Sequence, residues 1–166
     1  MKQLRQGGYV LYMRHASTDF SKNDAAMTSY EDCATQRNLT DQGRAEARAV
    51  GAHVKRLRIP IGDVLASPFC RTMETARLAF GKAQATPAAR GGPVRSDDPR
   101  RYDPLKKILS TKPEKNLVIS SHGNPFRAVA GPPYLAEGEI AVVRPEGNSR
   151  FKVIGRIRLD DWEFLE

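Results

Sequence analysis

The stretch Tyr9–Thr18, "YVLYMRHAST", decides the reading of this chain. Gly7 and Gly8 form a turn signal, and the apolar run Tyr9–Met13 after them has the composition of a buried strand. The run ends abruptly on Arg14 and His15, then on small and hydroxylic residues. Taken alone, a histidine at a strand end is usually structural and an arginine there usually solvated; only their coincidence with like residues elsewhere in the chain gives the pair a functional meaning.

The same pattern recurs. "DVLASP" gives a strand at Asp63–Ala66 running into Ser67–Arg71, and "NLVISSHGN" gives one at Leu117–Ser120 running into Ser121 and His122. Helices separate these strands. Gly43, Ala47, Val50, Val54 and Leu57 step by four, three, four and three, which is one apolar helical stripe. Thr40 is the expected N-cap, Asp41 suits the first turn, and Pro60 stops the element. "CRTMETARLAF" reads as a second helix ended by Gly81, with further helices expected over about Pro99–Leu109 and Pro125–Ala130. Ser17–Asn38 reads as a long polar loop, and Lys82–Asp98 as a loop with one brief strand near Val94. "EIAVVRP" and "FKVIGRIRL", joined by "PEGNS", read as a closing hairpin.

Alternating strands and helices predict an α/β fold of three layers, α/β/α, with a mostly parallel central sheet and late antiparallel edge strands. A single domain over residues 1–166 is expected. Ligands of such sheets gather beyond the carboxyl ends of the strands, where Arg14, His15, Arg71 and His122 all fall. Two arginines suit phosphate oxygens, and a helix beginning near Cys70 would aim free N–H groups at the same rim. The site therefore reads as one for a phosphoryl group, with an imidazole able to attack phosphorus.

Twenty-seven basic against nineteen acidic residues give a formal charge of +8. That favours anionic partners without choosing among them. Few aromatics accompany the basic residues and no nucleic-acid module is recognisable, so no nucleic-acid partner is expected. No apolar run spans a bilayer, and none is expected to contact a membrane. The N-terminal apolar run is too short for a signal peptide, which predicts a cytoplasmic protein, or a periplasmic one if a signal has been removed. Cys33 and Cys70 lack metal-type spacing and read as free thiols, a disulfide being the alternative in an oxidising compartment. Oligomeric state is left open.

Taken together, the motifs resemble those of the histidine phosphatase superfamily, the phosphoglycerate mutase-like proteins. "RHAST" is similar to the Arg-His-Gly-x-Thr/Ser signature, "SPFCRTMETA" to Ser-Pro-x-x-Arg-x-x-x-Thr-Ala, and "VISSHGN" to the strand carrying the second histidine. "LTDQGRAEARAVG" is similar to the helix between the first two, so the resemblance spans roughly Tyr9–Asn124 in the family's order. It implies a phosphoglycerate mutase-like fold and a phosphatase that needs no metal or other cofactor. His15 would be the nucleophile that becomes phosphorylated, with Arg14, Arg71 and His122 around the transferred group. Thr18, Ser17, Asn124 and Asp98 would contact the substrate, a small phosphorylated molecule or a phosphoprotein.

Two departures stand out. Ala16 replaces the signature glycine, which requires ordinary dihedrals there. The family's acid is also missing, since Arg77–Lys112 contains no Glu and Gly123 follows the second histidine. Glu139 is the expected proton donor, with Asp98 next and Glu137, Asp97 and Asp103 also available. A phosphoglycerate mutase-type phosphotransferase and a non-catalytic phosphate- or nucleic-acid-binding domain are the alternative readings. His53 and Trp162 are read as packing residues, Arg100–Arg101 as a solvated face able to assist with a second anionic group.

Overall fold

The chain is described by a computed structural model covering residues 1–91, 98 and 100–166. Its spine is a six-stranded sheet built from β1 (Val10–Arg14), β2 (Ile61–Ala66), β3 (Gln84–Ala85), β4 (Asn116–Ser121), β5 (Ile140–Gly147) and β6 (Arg150–Ile157). The order is β3-β2-β4-β1-β5-β6. The first four positions are parallel, and β5 and β6 run antiparallel. The expected late hairpin is present, although β5 lies inside the sheet against β1, and the true edges are β6 and β3.

Alternation along β1 divides the core. Leu11 and Met13 pack with Val50, Val54, Leu57 and Trp162 on one face. Val10 and Tyr12 pack with Leu105, Leu109 and Phe126 on the other. Period-two strands between period-3.6 helices give three layers by necessity, since each face of a parallel sheet must be covered. Helices α1 (Lys2–Gln6), α2 (Asp41–Arg56) and α3 (Cys70–Phe80) precede the short α4 (Pro87–Arg90), α5 (Asp103–Ser110) and α6 (Gly123–Ala130). The first face is covered by α2, α3 and the 3₁₀ turn Leu159–Phe164, the second by α4, α5 and α6.

The stripe on α2 is buried as its spacing requires, and Thr40 Oγ1 accepts a hydrogen bond from Gly43 N at 3.0 Å. Gly43 has a second task. A Cβ there would lie 2.1 Å from the Ser17 carbonyl oxygen, so only glycine lets α2 start against the loop after β1. Ser17 O in turn accepts from Thr40 N at 3.0 Å.

Three local expectations change. Residues 1–8, for which the sequence suggests only a short tail leading into β1, include α1, which places Leu4 in the core. The brief strand after α3 is Gln84–Ala85, beside β2, while the one expected near Val94 lies outside the described residues. The third predicted helix begins at Asp103 rather than at Pro99, which also lies outside them. Among the described residues no helix is long and apolar enough to cross a membrane.

Candidate active site

The carboxyl ends of the three longer parallel strands, β1, β2 and β4, meet at one place. β1 ends at Arg14 and hands on to His15, whose backbone N–H donates to Ser121 O at 2.9 Å. β4 ends at Ser121 and hands on to His122, the N-cap of α6. β2 delivers Ser67, whose N–H donates to Ser120 O at 2.9 Å, and two residues later Phe69 caps α3 so that Arg71 sits in its first turn. The cavity these residues share is about 300 Å³ and is lined by Arg14, His15, Arg71 and His122 among others.

His15 is 1 % exposed. Its Nδ1 lies 2.9 Å from Ala16 O. A carbonyl oxygen only accepts, so Nδ1 carries the proton of the neutral ring and Nε2 keeps its lone pair. Burial, above all, lowers the His15 pKa to about 3, and Arg71, Arg14 and Arg37 push the same way. The ring is therefore a neutral base across the physiological range. His122 is lowered well below its ordinary value, again first by burial and then by Arg71. Ser67 Oγ and His122 Nε2 are 2.8 Å apart, and Tyr12 OH donates to His122 O at 2.8 Å. The two imidazoles meet edge to face at 5.6 Å between centroids.

The arginines are held from behind. Arg14 Nη1 donates to Leu135 O at 2.8 Å, and its Nη2 lies 3.5 Å from Glu137 Oε1. Arg71 Nη1 donates to Asp24 Oδ1 at 3.0 Å and to Arg37 O at 3.3 Å. Burial opposes the charge on Asp24, but bonds from Arg37 N and Arg71 outweigh it and keep the carboxyl below its ordinary value. The Nε atoms of Arg14, Arg37, Arg71 and Arg101 are buried with no acceptor among the described residues. An unmatched buried donor costs roughly 1–3 kcal/mol.

Ala16 meets the condition its methyl imposes. It is fully buried with Leu39 and Ala47, does not adopt a positive φ, and its N–H donates to Thr75 Oγ1 at 3.2 Å. Asn124 also lines the cavity, its Oδ1 accepting from Tyr134 OH at 3.0 Å.

Other expected residues are placed elsewhere. Glu139, expected as the proton donor, is turned inward: its Oε2 accepts from Ala136 N at 2.7 Å and its Oε1 lies 3.4 Å from Arg156 Nη1. Asp98 bonds to Arg100 at 3.1 Å, and Asp103 lies 3.5 Å from Lys106. Asp97 lies outside the described residues. Ser17 donates its N–H to Glu46 Oε2 at 3.1 Å and does not line the cavity. Thr18 Oγ1 donates to Glu137 Oε1 at 2.7 Å rather than facing the cavity. Glu137 Oε1 is also 3.7 Å from His15 Nδ1, behind the nucleophilic edge. Of the N–H groups expected to be free at the start of α3, that of Cys70 is used, donating to Gln36 Oε1 at 2.9 Å.

The cysteines, read as free thiols, are paired: Cys33 and Cys70 form a disulfide that ties the loop after β1 to α3. Arg37, Arg90, Arg101, Tyr102 and Tyr134 also line the cavity. Only Arg101 carried any hint in the sequence, as part of the Arg100–Arg101 pair. Arg37 and Arg90 come from segments with neither periodicity nor motif. Among the described residues no group of three or more His, Cys, Asp or Glu is placed to hold a metal.

Comparison with known proteins bears on the fold and the family. No curated protein matches the sequence. Among solved structures, the protein histidine phosphatase SixA complexed with tungstate superposes with a TM-score of 0.65 at 19% identity, covering 92% of this chain and 98% of that one. A phosphoserine phosphatase mutant from Entamoeba histolytica, in complex with phosphoserine, gives 0.62 at 13% identity over 92% and 98%. A mycobacterial glucosyl-3-phosphoglycerate phosphatase bound to VO3 gives 0.63 at 14% identity over 89% and 98%. At such identities these likenesses establish the fold alone. The model of the histidine phosphatase superfamily (branch 1) matches residues 10–92, half of the chain, and the chain belongs to that superfamily.

Proposed function

We propose that the chain is a phosphatase that works through a phosphohistidine on His15 and needs no metal. The observation that carries this reading is the state of His15: neutral, buried, with Nδ1 committed to Ala16 O and Nε2 left to attack. In this reading Nε2 displaces the leaving group from phosphorus, and water then displaces the imidazole to free phosphate. Arg14, Arg71 and His122 stabilise charge on the equatorial oxygens. Glu137, held by Thr18 and Arg14, faces Nδ1 and offsets the positive charge the ring acquires on phosphorylation. Asn124 contacts the substrate from the α6 side.

The substrate is a small phosphorylated molecule whose leaving group departs without a strong proton donor, because no carboxylate lines the cavity among the described residues. The arginines converge on one small cavity instead of spreading along a face, which favours this reading over nucleic-acid binding. The Cys33–Cys70 disulfide favours an oxidising compartment. Hydrolysis of p-nitrophenyl phosphate, whose nitrophenolate leaves unaided, tests the proposal. The His15→Ala variant should lose about 10³-fold or more in kcat; undiminished turnover by that variant overturns it.

A further inference from the structure

The cavity holds more positive charge than one phosphoryl group uses. Arg14 and Arg71, which flank His15, have carboxylates behind them in Glu137 and Asp24. Arg37, Arg90 and Arg101 line the same cavity, and no carboxylate lines it among the described residues. Each of the three guanidiniums lies over aromatic rings: Arg37 over Phe20 at 4.8 Å, Arg90 over Phe69 and Tyr30 at 5.5 and 5.7 Å, Arg101 over Tyr102 at 5.5 Å. A stacked guanidinium has its face covered and its in-plane N–H groups available, which is the presentation that suits phosphate oxygens. The Nε donors of Arg37 and Arg101 are buried and meet no acceptor among the described residues.

A second fact concerns the leaving group. An alkyl phosphate expels an alkoxide and needs a proton donor. Glu139 is turned away onto Ala136 and Arg156, and Glu137 stands behind His15 on the Nδ1 side. A phosphoanhydride has no such need, since its leaving group is a phosphate that is stable as an anion.

Building on the phosphohistidine reading, we propose that the substrate carries a terminal diphosphate, with its outer phosphoryl on Arg14, Arg71 and His122 and its inner phosphate on Arg37, Arg90 and Arg101. The His15 Nε2 lone pair forms the N–P bond to the outer phosphorus. The bond from that phosphorus to the bridging oxygen breaks, and its electron pair stays on the inner phosphate, which leaves as a monophosphate anion. Water oxygen then bonds to phosphorus, the N–P pair returns to Nε2, and both water hydrogens leave with the released phosphate.

The test compares methyl diphosphate, glycerol phosphate and p-nitrophenyl phosphate in the wild type and in the Arg90→Ala, Arg101→Ala and His15→Ala variants. We expect kcat/KM for methyl diphosphate to exceed that for glycerol phosphate by at least 100-fold. The ratio of methyl diphosphate to p-nitrophenyl phosphate should fall at least tenfold in each arginine variant. A wild type whose kcat/KM for methyl diphosphate does not exceed that for glycerol phosphate overturns the diphosphate assignment, as does a ratio unchanged within twofold in both arginine variants. The wild-type comparison stands even if a variant fails to fold. Undiminished p-nitrophenyl phosphate turnover by His15→Ala overturns instead the reading on which this one rests.

Discussion

His15 Nδ1 lies 2.9 Å from the carbonyl oxygen of Ala16, its immediate neighbour in the chain. One peptide unit thus fixes both the tautomer and the direction of the ring. Because burial lowers the pKa to about 3, His15 stays neutral while an unfolded histidine, near 6.5, binds a proton. His122 is lowered in the same direction. The unfolded state therefore takes up more protons than the folded state below pH 6.5, and stability rises with pH through that window. Lowering the pH from 6.5 to 5 should weaken the fold by up to about 1.4 kcal/mol per pH unit for each histidine. Urea unfolding at a series of pH values checks this, and the slope over that interval should be smaller in His15→Phe. A flat profile in the wild type contradicts it.

Among the described residues Glu137 is the carboxylate that pairs with the His15 ring, on its Nδ1 side rather than its Nε2 side. Thr18 Oγ1 and Thr18 N hold its two oxygens at 2.7 and 3.2 Å. Its Oε1 lies 3.7 Å from His15 Nδ1, where positive charge would grow in the proposed phosphohistidine step. Glu137→Gln keeps the shape and removes the charge, and should lower kcat about tenfold, equivalent to ~1.4 kcal/mol, with KM altered less. Steady-state kinetics with p-nitrophenyl phosphate decide, and a kcat within twofold of wild type rejects the role.

The Cys33–Cys70 disulfide spans 37 residues of chain and carries the loop that supplies Asp24 and Arg37. Closing a loop of that size restricts the unfolded chain by an amount worth about 4 kcal/mol in the chain-entropy model. Reduction, or the Cys33→Ala/Cys70→Ala double variant, should cost about 2–4 kcal/mol in denaturant unfolding. A midpoint unaffected by reductant contradicts this.

At Gly43 the backbone of α2 meets the loop after β1, since a Cβ there would sit 2.1 Å from Ser17 O. Backbone faces backbone at that point, so nothing flexible can yield. Gly43→Ala should destabilise by about 1–3 kcal/mol and also lower activity, because the displaced segment follows His15 directly. Thermal unfolding together with kcat measurement tests both effects, and a variant as stable as wild type contradicts the first.

Regular spacing made much of this molecule legible. The stripe Gly43–Leu57 and its Thr40 cap were readable because α2 obeys one period and one capping rule. The strands ending at Arg14, Ala66 and Ser121 were readable because their apolar runs stop at polar residues. What stayed hidden depends on turns. Glu137 and Glu139 are two apart and would share a face in a strand, but Gly138 between them takes a φ of +76°. That turn sends one carboxylate to Thr18 and folds the other back onto Ala136. Arg37 and the Cys33–Cys70 pairing are likewise set by how a loop returns, and Arg90 ends the one-turn helix α4 in a stretch that reads as loop, so no local pattern encodes either.

In the proposed reaction phosphate passes through His15 Nε2. Rapid quenching of the enzyme with a ³²P-labelled substrate, under alkaline conditions that spare phosphohistidine, tests it most directly. The expected label on the protein is acid-labile and alkali-stable, maps to the peptide containing His15, and is missing in His15→Ala. Turnover with no labelled protein, or label on any other residue, would contradict it.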